Sequence, residues 1–245
     1  MELRLQSSAF IIAVFEFVLL LFSLSVHESA HAWMASRLGD QTARQMGRVS
    51  LNPMDHIDPI GTLLFPALVI FGPFIGMSFF GGMLIGWAKP TPVLTRNFRK
   101  IVRDDNLTTL AGPVSNLLLV LITFLGLAIV SVAVPNGRLV VRSTFLSLFE
   151  GGLVLGVPSG LQAVVLLCSV AILINLSLCF FNLLPIPPLD GSHVVRNMLP
   201  YNAVQVYDRI PIWVSYLFMI FVGRWVLMAL LDPALTLVYF GLSHI

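Results

Sequence analysis

Charge is what this sequence has least of. Only 11% of its 245 residues are Asp, Glu, Lys or Arg, against the ~25% that a soluble globular domain uses to cover its surface. Hydrophobic residues make up 57% and the mean hydropathy is +0.92, so most of the outer surface must face lipid rather than water. A net charge of +2 without a basic stripe excludes a nucleic-acid partner. Cysteine is almost missing as well. Cys168 and Cys179 share one apolar segment and read as packed thiols, which leaves no disulfide framework and no legible redox compartment. The first apolar run is too long for a signal-peptide core and lacks an A-x-A-type cleavage site, so it is read as a retained membrane helix. Internal repeats, low-complexity tracts and an appended soluble domain are also lacking.

What is present is a series of long apolar runs. A membrane helix needs about 20 such residues, and four stretches qualify: Ala9 to Ser36, Leu107 to Val134, Leu161 to Phe181 and Ile210 to Leu231. The tail from Pro233 to Leu242 is too short to span and is expected to be a broken continuation or an interfacial piece. A fifth stretch, Gly61 to Trp87, is interrupted by Pro66, Gly72-Pro73, Gly76 and Gly81-Gly82. Basic residues collect on the cytoplasmic side of a membrane, and they flank this stretch on both sides: Arg37, Arg44 and Arg48 before it, Lys89, Arg96, Arg99, Lys100 and Arg103 after it. The expectation is an all-α polytopic membrane protein with 4–6 transmembrane helices and a re-entrant or hairpin element at about 61–87. Irregular backbone at that depth is tolerated only where protein or a water-filled cavity satisfies it, so the element hints at a site.

The chemistry is concentrated in SVHESAHAW. His27 and His31 stand one helical turn apart, within ~6 Å along the axis, so both imidazoles can reach one ion. Glu28 lies beside them, placed to contact a water on that ion. This is the H-E-x-x-H pattern of zinc proteases, two nitrogen ligands and a general base. Ionisable groups in a membrane span cost at least ~2.5 kcal/mol each on insertion scales and usually mark function. A structural His–Glu pairing is the blander reading. Catalytic zinc takes three protein ligands and leaves one position open. Asp190, in FNLLPIPPLDG, is the best third candidate, because Pro187-Pro188 forces irregular backbone at the same expected depth. Asp55, Asp58, Asp104 and Asp105 read as solvated loop carboxylates. Glu16 lies ~16 Å from His27 on the same helix and cannot share an ion. Polar lining for water is expected near Ser25, Ser29 and Asn116. His193 is a candidate neighbour of the ligands and His56 a candidate at the mouth of the site; Trp33 and Trp87 read as interfacial aromatics.

HESAH at 27–31, LNPMDHIDPIGT at 51–62, GWAKPTPV at 86–93 with AGPVSN at 111–116, and NLLPIPPLDG at 182–191 together resemble the site-2 proteases, intramembrane zinc metalloproteases, in their minimal prokaryotic form. The resemblance runs from the first span to the start of the fourth. It implies His27, His31 and Asp190 as ligands of one Zn²⁺ per chain and Glu28 as catalytic base. It also implies a role for Asn182 near the substrate cleft. It implies a single membrane-embedded metalloprotease domain over 1–245, with a core of about 8–200 and C-terminal helices at 210–245. The expected partners are a transmembrane-helix substrate and the lipid bilayer, and the expected location is a prokaryotic cytoplasmic membrane with the site opening to the cytoplasm. Two departures stand out. The loop from Pro135 to Gly160 is too short for the PDZ domain many members carry, and the motif lies in the first helix rather than the second. Physiological substrate and oligomeric state are not legible.

Two rival readings share these residues. A catalytically silent relative would bind membrane helices without cutting them, although Glu28 and all three candidate ligands are present. A metal or proton transporter would string acidic residues or histidines across several spans, and neither Leu107 to Val134 nor Leu161 to Phe181 contains any.

Overall fold

The computed structural model describes residues 2–77, 88–149 and 160–245. The first helix, α1 (Glu2–Leu38), contains neither glycine nor proline, so nothing in it interrupts the backbone ladder for ~55 Å. A short apolar helix, α2 (Pro59–Ile75), follows; it passes through π, α and 3₁₀ geometry and is too short to cross a membrane. Next come α3 (Ile101–Ala133), α4 (Gly137–Phe149), α5 (Gly160–Asn182), α6 (Asp190–Met198), α7 (Tyr201–Tyr207) and α8 (Ile212–His244). Among the described residues four helices are long and apolar enough to span: α1 from Ala9, α3, α5 and α8. Their outer faces carry Val18, Ile122, Ile129 and Phe221 at 58 to 70% exposure, the surface that lipid covers.

Two boundaries differ from the sequence expectation. Helix α3 begins at Ile101, a polar turn ahead of its apolar run, because the Asp104 carboxylate accepts from the Lys100 backbone N–H at 2.8 Å and satisfies a donor at the helix start. The tail after Pro233 is not a separate piece: α8 runs through that proline to His244. Proline removes one ladder bond but does not end a helix whose flanks are packed, and Leu227, Leu231, Leu235 and Leu242 all bury against one cluster.

That cluster fills the half of the bundle away from the histidines. Val120 and Leu127 of α3, Val141 and Phe145 of α4, and Val165, Ile172 and Leu176 of α5 pack with the α8 leucines. In the other half α1, α3 and α5 are in mutual contact, and α6 lies against α3. Both flanks of the interrupted stretch meet here. The Lys89 N–H donates to His56 O at 3.0 Å. The Asp40 carboxylate, just past α1, accepts from Leu94 N, Asn97 Nδ2, Thr42 N and Thr42 Oγ1. The chain that leaves at His56 is therefore back beside it at Lys89, as a re-entrant element requires. The tip of that element, including Trp87, falls outside the described residues.

Candidate metal centre

Helix α1 presents His27 and His31 on one buried face, with ring centroids 4.7 Å apart and planes at 84°. Each ring is held from behind. His27 Nδ1–H donates to Asn116 Oδ1 at 2.6 Å, and His31 Nδ1–H donates to the Thr108 carbonyl at 2.8 Å. Both acceptors lie on α3. With Nδ1 protonated, each ring keeps its lone pair on Nε2, and the two Nε2 atoms face each other at 3.0 Å.

Asp190 arrives from the far end of the chain. The segment after α5 turns tightly: Ile186 N bonds Leu184 O, Leu189 N bonds Ile186 O, and the Pro187-Pro188 peptide is cis. Gly191 is pressed so close to the chain just past α5 that a Cβ there would meet Leu183 O at 2.2 Å, which explains why glycine follows the aspartate. Asn197 Nδ2 then ties α6 to α3 through Asp105 Oδ2 and Asn106 Oδ1, each at 2.7 Å. The result sets Asp190 Oδ2 at 3.1 Å from His27 Nε2 and 3.4 Å from His31 Nε2.

These three atoms form a triangle with edges of 3.0, 3.1 and 3.4 Å. A tetrahedral zinc with ligands at ~2.0–2.1 Å demands edges of about 3.3–3.4 Å. Two lone pairs and an anionic oxygen converging at that spacing suit a divalent cation. The space beside them is kept by Gly112 of α3, where a Cβ would stand 2.4 Å from His31 Nε2 and 2.6 Å from His27 Nε2. Glu28 is the neighbouring carboxylate; its ligand atom and those of both histidines fall within 4.8 Å of one another. One of its oxygens is already engaged: Oε2 accepts from Thr91 N at 3.2 Å and Thr91 Oγ1 at 2.7 Å.

The remaining candidates lie around this centre at different removes. Asn116 is the fully buried partner of His27. Asn182 is half-buried at the end of α5 and donates to Leu178 O of its own helix. His56 is buried in the first loop, where its Nε2–H donates to Ser50 O at 2.8 Å. His193 is exposed and lines an open cleft of about 330 Å³ with Pro187, Arg196 and Tyr207. Ser25 bonds back to Leu21 O within α1. Sequence reasoning missed Thr91, Gly112 and Asn175. Asn175 carried a usable signal, since an amide in an otherwise apolar span needs a partner inside the protein.

A helical membrane bundle with an H-E-x-x-H turn facing a half-buried aspartate has the architecture of a membrane-embedded zinc metalloprotease. Residues 15–222 match peptidase family M50. The chain belongs to that family, the site-2 protease family. It is 37% identical over 183 residues to the candidate zinc metalloprotease YwhC of Bacillus subtilis, covering 75% of this chain and 68% of that one. It is 33% identical over 99 residues to the candidate zinc metalloprotease Rip2 of Mycolicibacterium smegmatis, covering 40% and 34% of the two chains. No solved structure matches it.

Proposed function

We propose that this protein is an intramembrane protease that cuts transmembrane segments of other membrane proteins, with His27, His31 and Asp190 holding one zinc ion and Glu28 as the general base. The observation that carries the reading is the triangle of His27 Nε2, His31 Nε2 and Asp190 Oδ2, with a carboxylate one residue from the first ligand. The ion, when bound, supplies Lewis-acid polarisation of a water and of the scissile carbonyl.

The chain's own residues do the rest. Thr91 fixes Glu28 through Oε2, leaving Oε1 to take the proton from the attacking water and deliver it to the leaving amide nitrogen. Asn116 and the Thr108 carbonyl hold the imidazoles from behind, so neither ring turns away as charge develops. A substrate helix hides its carbonyls in its own backbone bonds, which are costly to break in lipid. An edge from the element at about 61–87, of which residues 78–87 lie outside the described residues, is the proposed replacement partner for an unwound strand. The site opens toward the cytoplasm in this reading, because Arg37, Arg44, Arg48 and Lys89 gather at its end of the bundle.

The test combines zinc analysis with cleavage of a reporter carrying a transmembrane segment. Wild type and Glu28→Gln are expected to carry about one zinc per chain, and Asp190→Ala much less. Glu28→Gln is expected to cut about 10²–10⁴-fold more slowly than wild type. A Glu28→Gln variant that cleaves at the wild-type rate refutes the mechanism, and a folded, zinc-supplied wild type that holds no zinc refutes the site.

A further inference from the structure

The imidazole of His31 is anchored on a backbone carbonyl, which can only accept a hydrogen bond. His27 has no such fixed partner. It is anchored on the amide of Asn116, and an amide offers an acceptor on one side and a donor on the other. If Asn116 turned over, Nδ2 would face His27 Nδ1. The ring would then need its lone pair at Nδ1 and its proton at Nε2, on the side of Asp190 and His31.

We propose that Asn175 of α5 is a positioning residue that fixes this choice through a directional relay, an inference that rests on the zinc-protease reading of His27. The relay starts at the Ala171 carbonyl. Because that oxygen only accepts, the Asn175 atom 2.9 Å from it is Nδ2, which also donates to Ser23 Oγ at 3.0 Å. Asn175 Oδ1 therefore points the other way and accepts from Asn116 Nδ2 at 2.9 Å. Asn116 Oδ1 is then the atom left for His27, 2.6 Å from Nδ1. The proton sits on Nδ1 and the Nε2 lone pair faces Asp190. Ser23, Asn116, Asn175 and His27 are each at most 2% exposed, so bulk water does not stand in for a missing member. Two amides, Asn175 on α5 and Asn116 on α3, thus carry the polarity of one backbone carbonyl to a metal ligand on α1.

The experiment measures zinc affinity by chelator competition, beside thermal stability, in detergent-purified full-length protein. Asn175→Ala is expected to weaken zinc binding about 10–100-fold, the usual loss when a ligand's hydrogen-bond support is removed. Asn116→Asp presents an accepting oxygen to His27 in either orientation, so in that background Asn175→Ala is expected to cost less than about 3-fold, a coupling that a cavity or packing defect would not show. Asn175→Asp keeps an acceptor facing Asn116 and is expected to bind zinc within a few-fold of wild type; it carries the test if Asn175→Ala does not fold. The relay is overturned if Asn175→Ala binds zinc like wild type, if its loss is equal in both backgrounds, or if Asn175→Asp loses as much as a folded Asn175→Ala or more than 10-fold. A folded wild type that binds no zinc overturns the underlying reading together with the relay, whereas zinc bound equally by wild type and Asn175→Ala overturns the relay alone.

Discussion

Adding one methyl group at Gly112 tests the centre with the smallest possible change. A Cβ there would lie 2.4 Å from His31 Nε2 and 2.6 Å from His27 Cε1 and Nε2, where ordinary contact begins at 3.4 Å. The shortfall is about 1 Å, several times the ±0.2 Å that metal–ligand distances tolerate. The backbone of α3 gives little relief, because it is packed against α1, α5 and α6. The rings must move instead, and moving them breaks the bonds from His27 to Asn116 and from His31 to the Thr108 carbonyl. Each leaves buried polar atoms unsatisfied at about 1–3 kcal/mol. Together that is about 2–6 kcal/mol, or at least a 30-fold loss of zinc affinity. The assay is chelator competition on purified Gly112→Ala, with Gly126→Ala as control, since a Cβ at Gly126 meets nothing within 4 Å and alanine is the better helix former. Gly112→Ala with zinc affinity equal to the Gly126→Ala control would refute the account of how the site is kept open.

Two further predictions concern the segment that joins the re-entrant element to the site. Thr91→Val removes a hydroxyl donor from the Glu28 carboxylate and is expected to lower turnover about 10–100-fold with zinc content intact, since hydrogen bonds to charged groups contribute about 1.5–3 kcal/mol; Thr91→Ser should recover most of it, and failure of serine to do so would reject the hydroxyl's role. Burial alone would raise the Asp40 carboxyl, but donors from Thr42, Leu94 and Asn97 outweigh it and hold the group below its ordinary 3.8. A depressed carboxylate stabilises the fold above its unfolded value, and that contribution is lost as pH falls through the folded one. Proteolytic nicking between 88 and 97 should therefore rise only below about pH 4 in the wild type, and Asp40→Asn should be nicked at neutral pH. Equal nicking of both proteins at pH 7 would show that Asp40 does not hold this segment.

The parts of the molecule that could be read in advance are those whose chemistry is local. HESAH declares a metal-binding turn because the helical period alone brings the two imidazoles together, and the four spans declare themselves by length and hydropathy. That Asp190 would lie beside the two histidines was legible because proline and glycine announce irregular backbone where a membrane helix should continue. The unread residues depend on neighbours that no spacing reveals. Nothing in GWAKPTPV says that Thr91 will meet Glu28, and nothing in AGPVSN says that Gly112 will face two histidines, because each role is set by how α1 and α3 cross. The end of α8 was misjudged for a related reason. Pro233 is a strong local signal against a continuous helix, yet the leucines on both sides bury in one cluster and the helix continues through it.

The ligand triangle also has a bearing on the life history of the chain. Two of its corners, His27 and His31, are four residues apart, but the third, Asp190, stands 163 residues beyond His27, and Asn116, which holds His27 from behind, 89 residues beyond it. Membrane helices satisfy their own backbone bonds on insertion and associate afterwards through packing and side-chain contacts. A partly synthesised chain therefore holds the H-E-x-x-H turn but neither its aspartate nor the turn that presents it. On the proposed ligand set, the metal site is complete only when the third span and the turn after it have docked, so a nascent or misassembled copy carries two of its three corners and not the third.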